Sequence, residues 1–251
     1  MNPSATVFAI DTAGDGCVLA LAHPGGIDVM HAERGHTHLE NVMPLVDALF
    51  ARCGLRPGQC DAFAFASGPG SFTGLRVACT MVQGLALGTG KPVIALDHLS
   101  SLMAAAAPAA GALPLPPAEE RRALVVIDAR MDQFYWASYA CTGGAGEWRL
   151  REAPALEDAA RMAERVRESG VQCCVGDAGF IRSSLAAGAG GAPDIAVLDA
   201  SIDGALLARL ARARFAAGAT IAPQEAYPQY VRDQVAQTVA QRQALQRARA
   251  Q

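Results

Sequence analysis

The sequence has little charge and almost no lysine. Charged residues make up 18% of the chain, and Lys91 is the sole lysine among 21 basic residues. The formal net charge is −3 and the pI about 5.9. Domains that hold nucleic acid by bulk electrostatics carry a basic excess or stripe, so that class is disfavoured. The arginine bias, set beside so many alanines, reads as genomic base composition. No uninterrupted apolar run nears the roughly 20 residues that a membrane helix needs. The opening Met1-Asn2-Pro3-Ser4 lacks the basic and apolar regions of a secretion signal, so a cytoplasmic protein without membrane contact is expected. The seven cysteines are odd in number and contain no Cys-x-x-Cys, which excludes an evident disulfide framework or zinc knuckle. His31, His36 and His38 crowd one region without the spacing of a ligand pair on one helical face. No metal is expected.

Hydrophobic residues, by contrast, are 51% of 251, enough for one large domain or two ordinary ones. Short apolar runs at Val7–Ile10, Cys17–Ala22 and Ile27–Glu33, separated by Gly-rich turns, predict an antiparallel meander. Thr37-His38-Leu39-Glu40 has capping-box spacing, and helical periodicity then runs to Cys53. A strand at Asp61–Ala66, a small-residue helix from Thr73 to Leu87, a strand Val93–Leu96 and a helix after Asp97 complete a first lobe, residues 1–107. The Ala/Pro-rich stretch Ala104–Glu120 predicts a linker, bounded at 108–122. The pattern then restarts: Leu124–Asp128, like Phe8–Asp11, is an apolar strand that ends in aspartate. Strands at Gln133–Ala140, Trp148–Ala153 and Cys173–Gly176, with helices at Glu157–Arg167 and Asp203–Ala216, fill a second lobe, 123–217. A return segment and tail, 218–251, follow. The fold class is α/β, two related lobes with a cleft between them. Gln234–Gln251 predicts a frayed helix, with RNA contact through Arg242, Arg247 and Arg249 as the alternative.

The densest motif is Ser67-Gly68-Pro69-Gly70-Ser71-Phe72-Thr73-Gly74-Leu75-Arg76. A glycine loop ahead of a helix can aim N–H groups at an anion, with Arg76 adding charge, or it can be a tight turn capped by Ser71 or Thr73. No Gly-Lys-Ser/Thr ends it, so it is not a P-loop. The following helix bears Gly74, Ala78, Gly84, Ala86 and Gly88. Each glycine there costs about 1 kcal/mol relative to alanine, which calls for a close neighbour, either from its own lobe or from a partner. Asp11 and Asp128, at equivalent strand ends, either face each other to hold magnesium and phosphates or each cap a hairpin turn. Thr12 and Arg130 complete this candidate phosphate set.

These segments, with Ala9–Ala13, Ile127–Met131, Tyr135-Trp136-Ala137 and Tyr230-Val231-Arg232, together resemble the TsaB/YeaZ family of bacterial tRNA threonylcarbamoyladenosine biosynthesis proteins, from about residue 6 to residue 235. The resemblance implies the two-lobed, RNase H-like fold of the actin, sugar kinase and Hsp70 superfamily. It implies a non-catalytic subunit that pairs with a TsaD-type transferase as a heterodimer, within a larger complex that includes a TsaE-type ATPase. There the threonylcarbamoyl group goes to the adenosine beside the anticodon of tRNAs reading codons that begin with A. Contact with tRNA would be indirect, and a homodimer through the same helices is an alternative pairing. The partner-binding residues carried over are His38, Val42, Val46, Gly74, Val77, Ala78, Met81 and Leu85. His38 stands where the catalytic relative has the first histidine of a metal pair, and Val42 cannot ligate. No cofactor of its own is implied, with ATP or ADP and magnesium kept for the alternative reading as a self-sufficient kinase, in which the resemblance puts Gly176 in an adenosine-contacting loop.

Overall fold

A computed structural model describes residues 5–14, 16–32, 39–113, 120–142, 147–188 and 193–231. Its first half contains β1 (Val7–Asp11), β2 (Cys17–His23), β3 (Gly26–Ala32), α1 (Leu39–Cys53), β4 (Ala62–Gly68), α2 (Phe72–Thr89), β5 (Val93–Asp97) and α3 (His98–Gly111). Its second half contains β6 (Arg121–Arg130), β7 (Gln133–Cys141), β8 (Arg149–Asp158), α4 (Met162–Ser169), β9 (Cys173–Gly176), α5 (Ala178–Ala187), β10 (Ala196–Asp199) and α6 (Gly204–Ala216). Two five-stranded sheets result, ordered β3-β2-β1-β4-β5 and β8-β7-β6-β9-β10. The two orders are one topology used twice. In each, three strands form an antiparallel meander and two more add in parallel across the first strand.

The helices turn this duplication into layers. On the outer face of the first sheet, α1 and α2 bury Val42, Val46, Leu49, Phe50, Ala78, Met81 and Val82 against Phe8, Phe63 and Phe65. Against the second sheet, α4 and α5 bury Met162, Val166, Ile181 and Leu185 on Leu124, Val126 and Trp136. Between the sheets α3 and α6 share one core, in which Val7, Ala9 and Ala64 of the first sheet and Ala123, Val125 and Val175 of the second join Leu99, Met103, Leu207 and Ala211. Small residues dominate both strands here, which lets the helices approach closely. Although α6 follows the second sheet in sequence, it packs on β1, β2 and β3. The two sheets are separate, but they share one hydrophobic core.

Several predicted elements shift. The stretch beginning at Ala104 is not linker throughout, because α3 continues through Pro108 to Gly111, held by burial of Ala106 and Ala110. Glu157 and Asp158 belong to β8 and not to a helix, since pairing with Phe134 and Gln133 extends that strand. Both α5 and β10 escape the sequence reading. The first is short and rich in small residues, and the second has only four. After α6 the chain returns to the first lobe: Ile221 bridges to Val93, and Gln229 N–H donates to Ser67 O at 2.7 Å. The predicted cap at Thr37 and His38 and the tail Gln234–Gln251 lie outside the described residues.

Candidate functional site

Asp11 ends β1 because a buried strand can end on a carboxylate only if that carboxylate is satisfied. It is 5% exposed; its Oδ1 accepts from Ala13 N–H at 2.8 Å and its Oδ2 lies 3.1 Å from His98 Nδ1, at the start of α3. Burial pushes the Asp11 carboxyl upward, but the charge and hydrogen bond of His98 and the Ala13 amide outweigh it, leaving it below its ordinary value. For His98 burial pulls downward, and Asp11 with Asp97 outweighs it, leaving the imidazole above its ordinary value. Each thus favours the charged form of the other. Asp128, at the matching end of β6, is exposed. Its Oδ1 accepts from Arg130 N–H at 2.7 Å, and its Oδ2 pairs with Arg130 Nη1 at 3.0 Å. Both aspartates thus cap their own turn two residues on, the second of the two roles open from sequence. Neither is left free to share a cation with the other.

Thr12 and Gly176 have packing roles as well. The Thr12 hydroxyl donates to Gly74 O at 2.6 Å, and a Cβ on Gly74 would sit 1.8 Å from Thr12 O. A Cβ on Gly176 would sit 2.0 Å from Val126 O, and its φ is +148°. Glycine is demanded at both places by backbone that passes too close for any side chain. The anion-loop reading of Ser67–Arg76 is likewise corrected. Ser71 N–H donates to Ala13 O at 2.7 Å and Gly74 N–H to Ser71 Oγ at 3.2 Å, so amides offered for an anion serve the β1 turn and the helix cap. The Arg76 guanidinium lies 3.8 Å from the Phe72 ring centroid, and its Nε donates to the Tyr230 hydroxyl at 2.9 Å. The motif is a clasp: it joins the β1 turn, the head of α2 and the returning chain. A cleft of about 470 Å³ opens beside it, lined among others by Gly70, His98, Asp128, Arg130, Phe180 and Tyr230.

The outward face of α2 is the second feature. Val42, Val46, Ala78 and Met81 are between 0% and 4% exposed, and Gly74 is covered by Thr12, so these five cannot present side chains to a partner. The correction follows from the core, because the apolar stripe that marks a helix in sequence is the stripe it buries. Val77 and Leu85 are half-buried along its margin. What α2 shows to solvent is Phe72, Thr73, Arg76, Thr80, Gly84, Leu87 and Gly88, with Leu87 61% exposed and open space around Gly84 and Gly88. On α1, Met43 is 41% exposed. His38 lies outside the described residues. Sequence reasoning missed Thr80, Leu87 and Met43; the absence of charge from Val77 to Thr89 was the signal for the first two. It also missed His98, whose partner is 87 positions away.

Comparison with known proteins joins these observations. A model of the TsaD family, tRNA N6-adenosine threonylcarbamoyltransferase, matches residues 20–164. The chain is 32% identical to the tRNA threonylcarbamoyladenosine biosynthesis protein TsaB of Escherichia coli over 92% of its own length and 96% of that protein's. It is 37% identical to the Haemophilus influenzae protein of the same name, over 53% of this chain and about half of that one. The solved structure of YeaZ from Pseudomonas aeruginosa superposes with a TM-score of 0.71 at 30% identity, covering 90% of this chain and 99% of that one. The duplicated sheets, the Ser67–Arg76 clasp and these matches together make the chain a member of the TsaB (YeaZ) family within the two-lobed actin-like fold.

Proposed function

We propose that the chain serves tRNA threonylcarbamoyladenosine biosynthesis as a non-catalytic subunit that binds and activates a TsaD-type transferase through the outward faces of α1 and α2. The observation that carries this reading is the solvent face of α2. From Val77 to Thr89 it has no charged residue, Leu87 stands exposed, and two glycines leave room for close approach by another helix. A helix that stays in water normally covers that face with charge. The self-sufficient kinase reading receives less support, because the carboxylates and hydroxyl it needs are spent. Asp11 is held by His98, Asp128 by Arg130, and Thr12 by Gly74. A TsaE-type ATPase joins this pair in the larger complex, and tRNA is handled mainly by the catalytic subunit.

The test is reconstitution of tRNA modification with purified TsaD-type subunit, TsaE-type ATPase and threonylcarbamoyl-adenylate, with and without this chain. Activity should require it at near-stoichiometric amounts, and the two proteins should coelute on size exclusion. Full activity in its absence would overturn the proposal.

A further inference from the structure

Sequence spacing gave no metal site, but the fold brings together three donors that are far apart along the chain. His23 closes β2, Asp28 lies on the neighbouring β3, and Cys53 is the last residue of α1. One ligand atom from each lies within 4.8 Å of the others, and among the described residues this is the one such group of three. His23 Nε2 is 2.9 Å from Asp28 Oδ2, and the Cys53 thiol also hydrogen-bonds to the Asp28 carboxylate. The side chains are 17% exposed at His23 and 34% at Asp28, and Cys53 is half-buried, so the group is backed by protein yet reachable from solvent.

We propose that His23, Asp28 and Cys53 form a binding site for a borderline-soft divalent cation, zinc or cobalt(II), with its fourth position open to water. The imidazole, the thiol and the carboxylate converge on one point, and a cation held by all three would take the place of the proton between His23 and Asp28. Nitrogen, sulfur and oxygen donors suit zinc; magnesium and calcium prefer oxygen alone. Bond lengths of 2.0–2.3 Å in a tetrahedron put the donor atoms about 3.5 Å apart, so the side chains need shift only by about an ångström. The proton balance is simple. The thiol gives up its proton to solvent and binds as thiolate, while the neutral imidazole moves its proton from Nε2 to Nδ1. One proton leaves for each ion bound.

Two contacts oppose the ion and make the proposal specific. Gly25 N–H donates to His23 Nδ1 at 3.2 Å and must let go when Nδ1 becomes the protonated nitrogen; it sits in an exposed turn that can move. Arg52 Nε lies 3.2 Å from Asp28 Oδ1 and must swing away, keeping its bond to Val29 O. The ion would tie the last turn of α1 to the β2–β3 hairpin, a link that no covalent bond makes. This site stands independently of partner docking.

Titration of the reduced, metal-free chain with cobalt(II) should give a thiolate-to-cobalt charge-transfer band with tetrahedral d–d bands, and zinc calorimetry should give one site per chain. Cys53→Ser and His23→Gln should each abolish the band and weaken zinc by at least about tenfold, the scale seen even for groups one step removed from a metal. Arg52→Gln should tighten zinc several-fold, an effect that a merely structural cluster would not give. The melting temperatures of the metal-free variants check that each is folded. No thiolate band, or zinc binding unchanged by both ligand substitutions, would overturn the assignment and place any bound ion on the other histidines or thiols.

Discussion

The two lobes share one topology and differ in what they do with it. Strand for strand the sheets superimpose in order, with α1 and α2 on the first where α4 and α5 lie on the second. Yet α2 has 18 residues and α5 has 10, α1 has 15 and α4 has 8. The solvent face of α4 carries Arg161, Glu164, Arg167 and Glu168, at the start of and along the helix; that of α5 carries Gly179, Arg182, Ser183, Ala186 and Ala187. These are faces built to stay wet. On α2 the exposed residues are Phe72, Thr73, Arg76, Thr80, Gly84, Leu87 and Gly88, so charge stops at Arg76 in the first turns and the rest of the helix has none. A duplicated scaffold therefore serves as its own control: the charge that α4 and α5 show to solvent along their length has no counterpart on α2 beyond Arg76, and this is the contrast on which the docking proposal rests.

The strand-end aspartates test this asymmetry most severely. Asp11→Asn should destabilise the chain by about 3–5 kcal/mol, because it leaves His98 buried without its counter-charge, whereas Asp128→Asn breaks a solvated pair worth at most about 1 kcal/mol. The pH dependence follows from the two directions. Asp11, lowered in the fold, contributes stability that is complete above its unfolded value near 3.9 and is lost as pH falls through its folded value. His98, raised in the fold, contributes stability that is complete below its unfolded value near 6.5 and is lost as pH rises through its folded value. The gap between wild type and Asp11→Asn in chemical denaturation should therefore be widest between about pH 4 and 6.5 and narrow on either side. Equal costs at Asp11 and Asp128 would end the distinction between the two turns.

Next in size is the docking face. Leu87→Arg should weaken coelution with the TsaD-type subunit by about 2 kcal/mol or more, roughly 30-fold, while melting as wild type does. Ala186→Arg, on the exposed face of α5, should change nothing. Sensitivity of both positions, or of neither, would remove the assignment of the interface to the first lobe.

The sheets were legible because their strands alternate or run apolar between strong turn signals; Cys173–Gly176 came through unchanged, and the helix read from Asp203 to Ala216 starts one residue later, at Gly204, with Asp203 as its cap. The duplication was legible from Asp11 and Asp128. What was not legible is what those aspartates touch, since the partner of Asp11 comes from another strand-helix junction and no local pattern announces it. Gly74 shows the same limit. Its presence in a helix signalled a close neighbour, but only the fold shows that neighbour to be Thr12 and not a second protein. Apolar periodicity located α1 and α2, and most of the partner-binding residues that the family resemblance implied fall on the same stripe, which the fold buries. The outward residues follow by complement once the core is known.

A smaller effect sharpens the role of the α2 glycines. Gly84→Ala meets nothing within 4 Å, so in the free chain it should raise stability by about 0.5–1 kcal/mol, the usual helix-interior gain, and melting temperature reads it directly. The same methyl should weaken binding to the catalytic subunit if a helix crosses there. A variant that is more stable alone and no weaker in the complex would show that the glycine is incidental to docking.

The smallest effect expected is that of nucleotide. Stabilisation by a ligand at its own dissociation constant is RT ln 2, about 0.4 kcal/mol, so a shift below that at millimolar ATP with magnesium means a dissociation constant above the concentrations used. The geometry leads to that result. A phosphate turn on β1 would need the Asp11 carboxylate and the Thr12 hydroxyl, and both already have partners at 3.1 and 2.6 Å. On β6, Arg130 would have to leave Asp128 before it could clamp a phosphate. A larger shift that Asp128→Asn removed would reassign the cleft to nucleotide and give the second lobe the ligand site; a shift that Asp128→Asn left intact would put the ligand on the clasp side, beside Arg76 and Tyr230. Either outcome would make the wet lobe, or its border, functional in its own right and would narrow the asymmetry to the outward faces of α2 and α5.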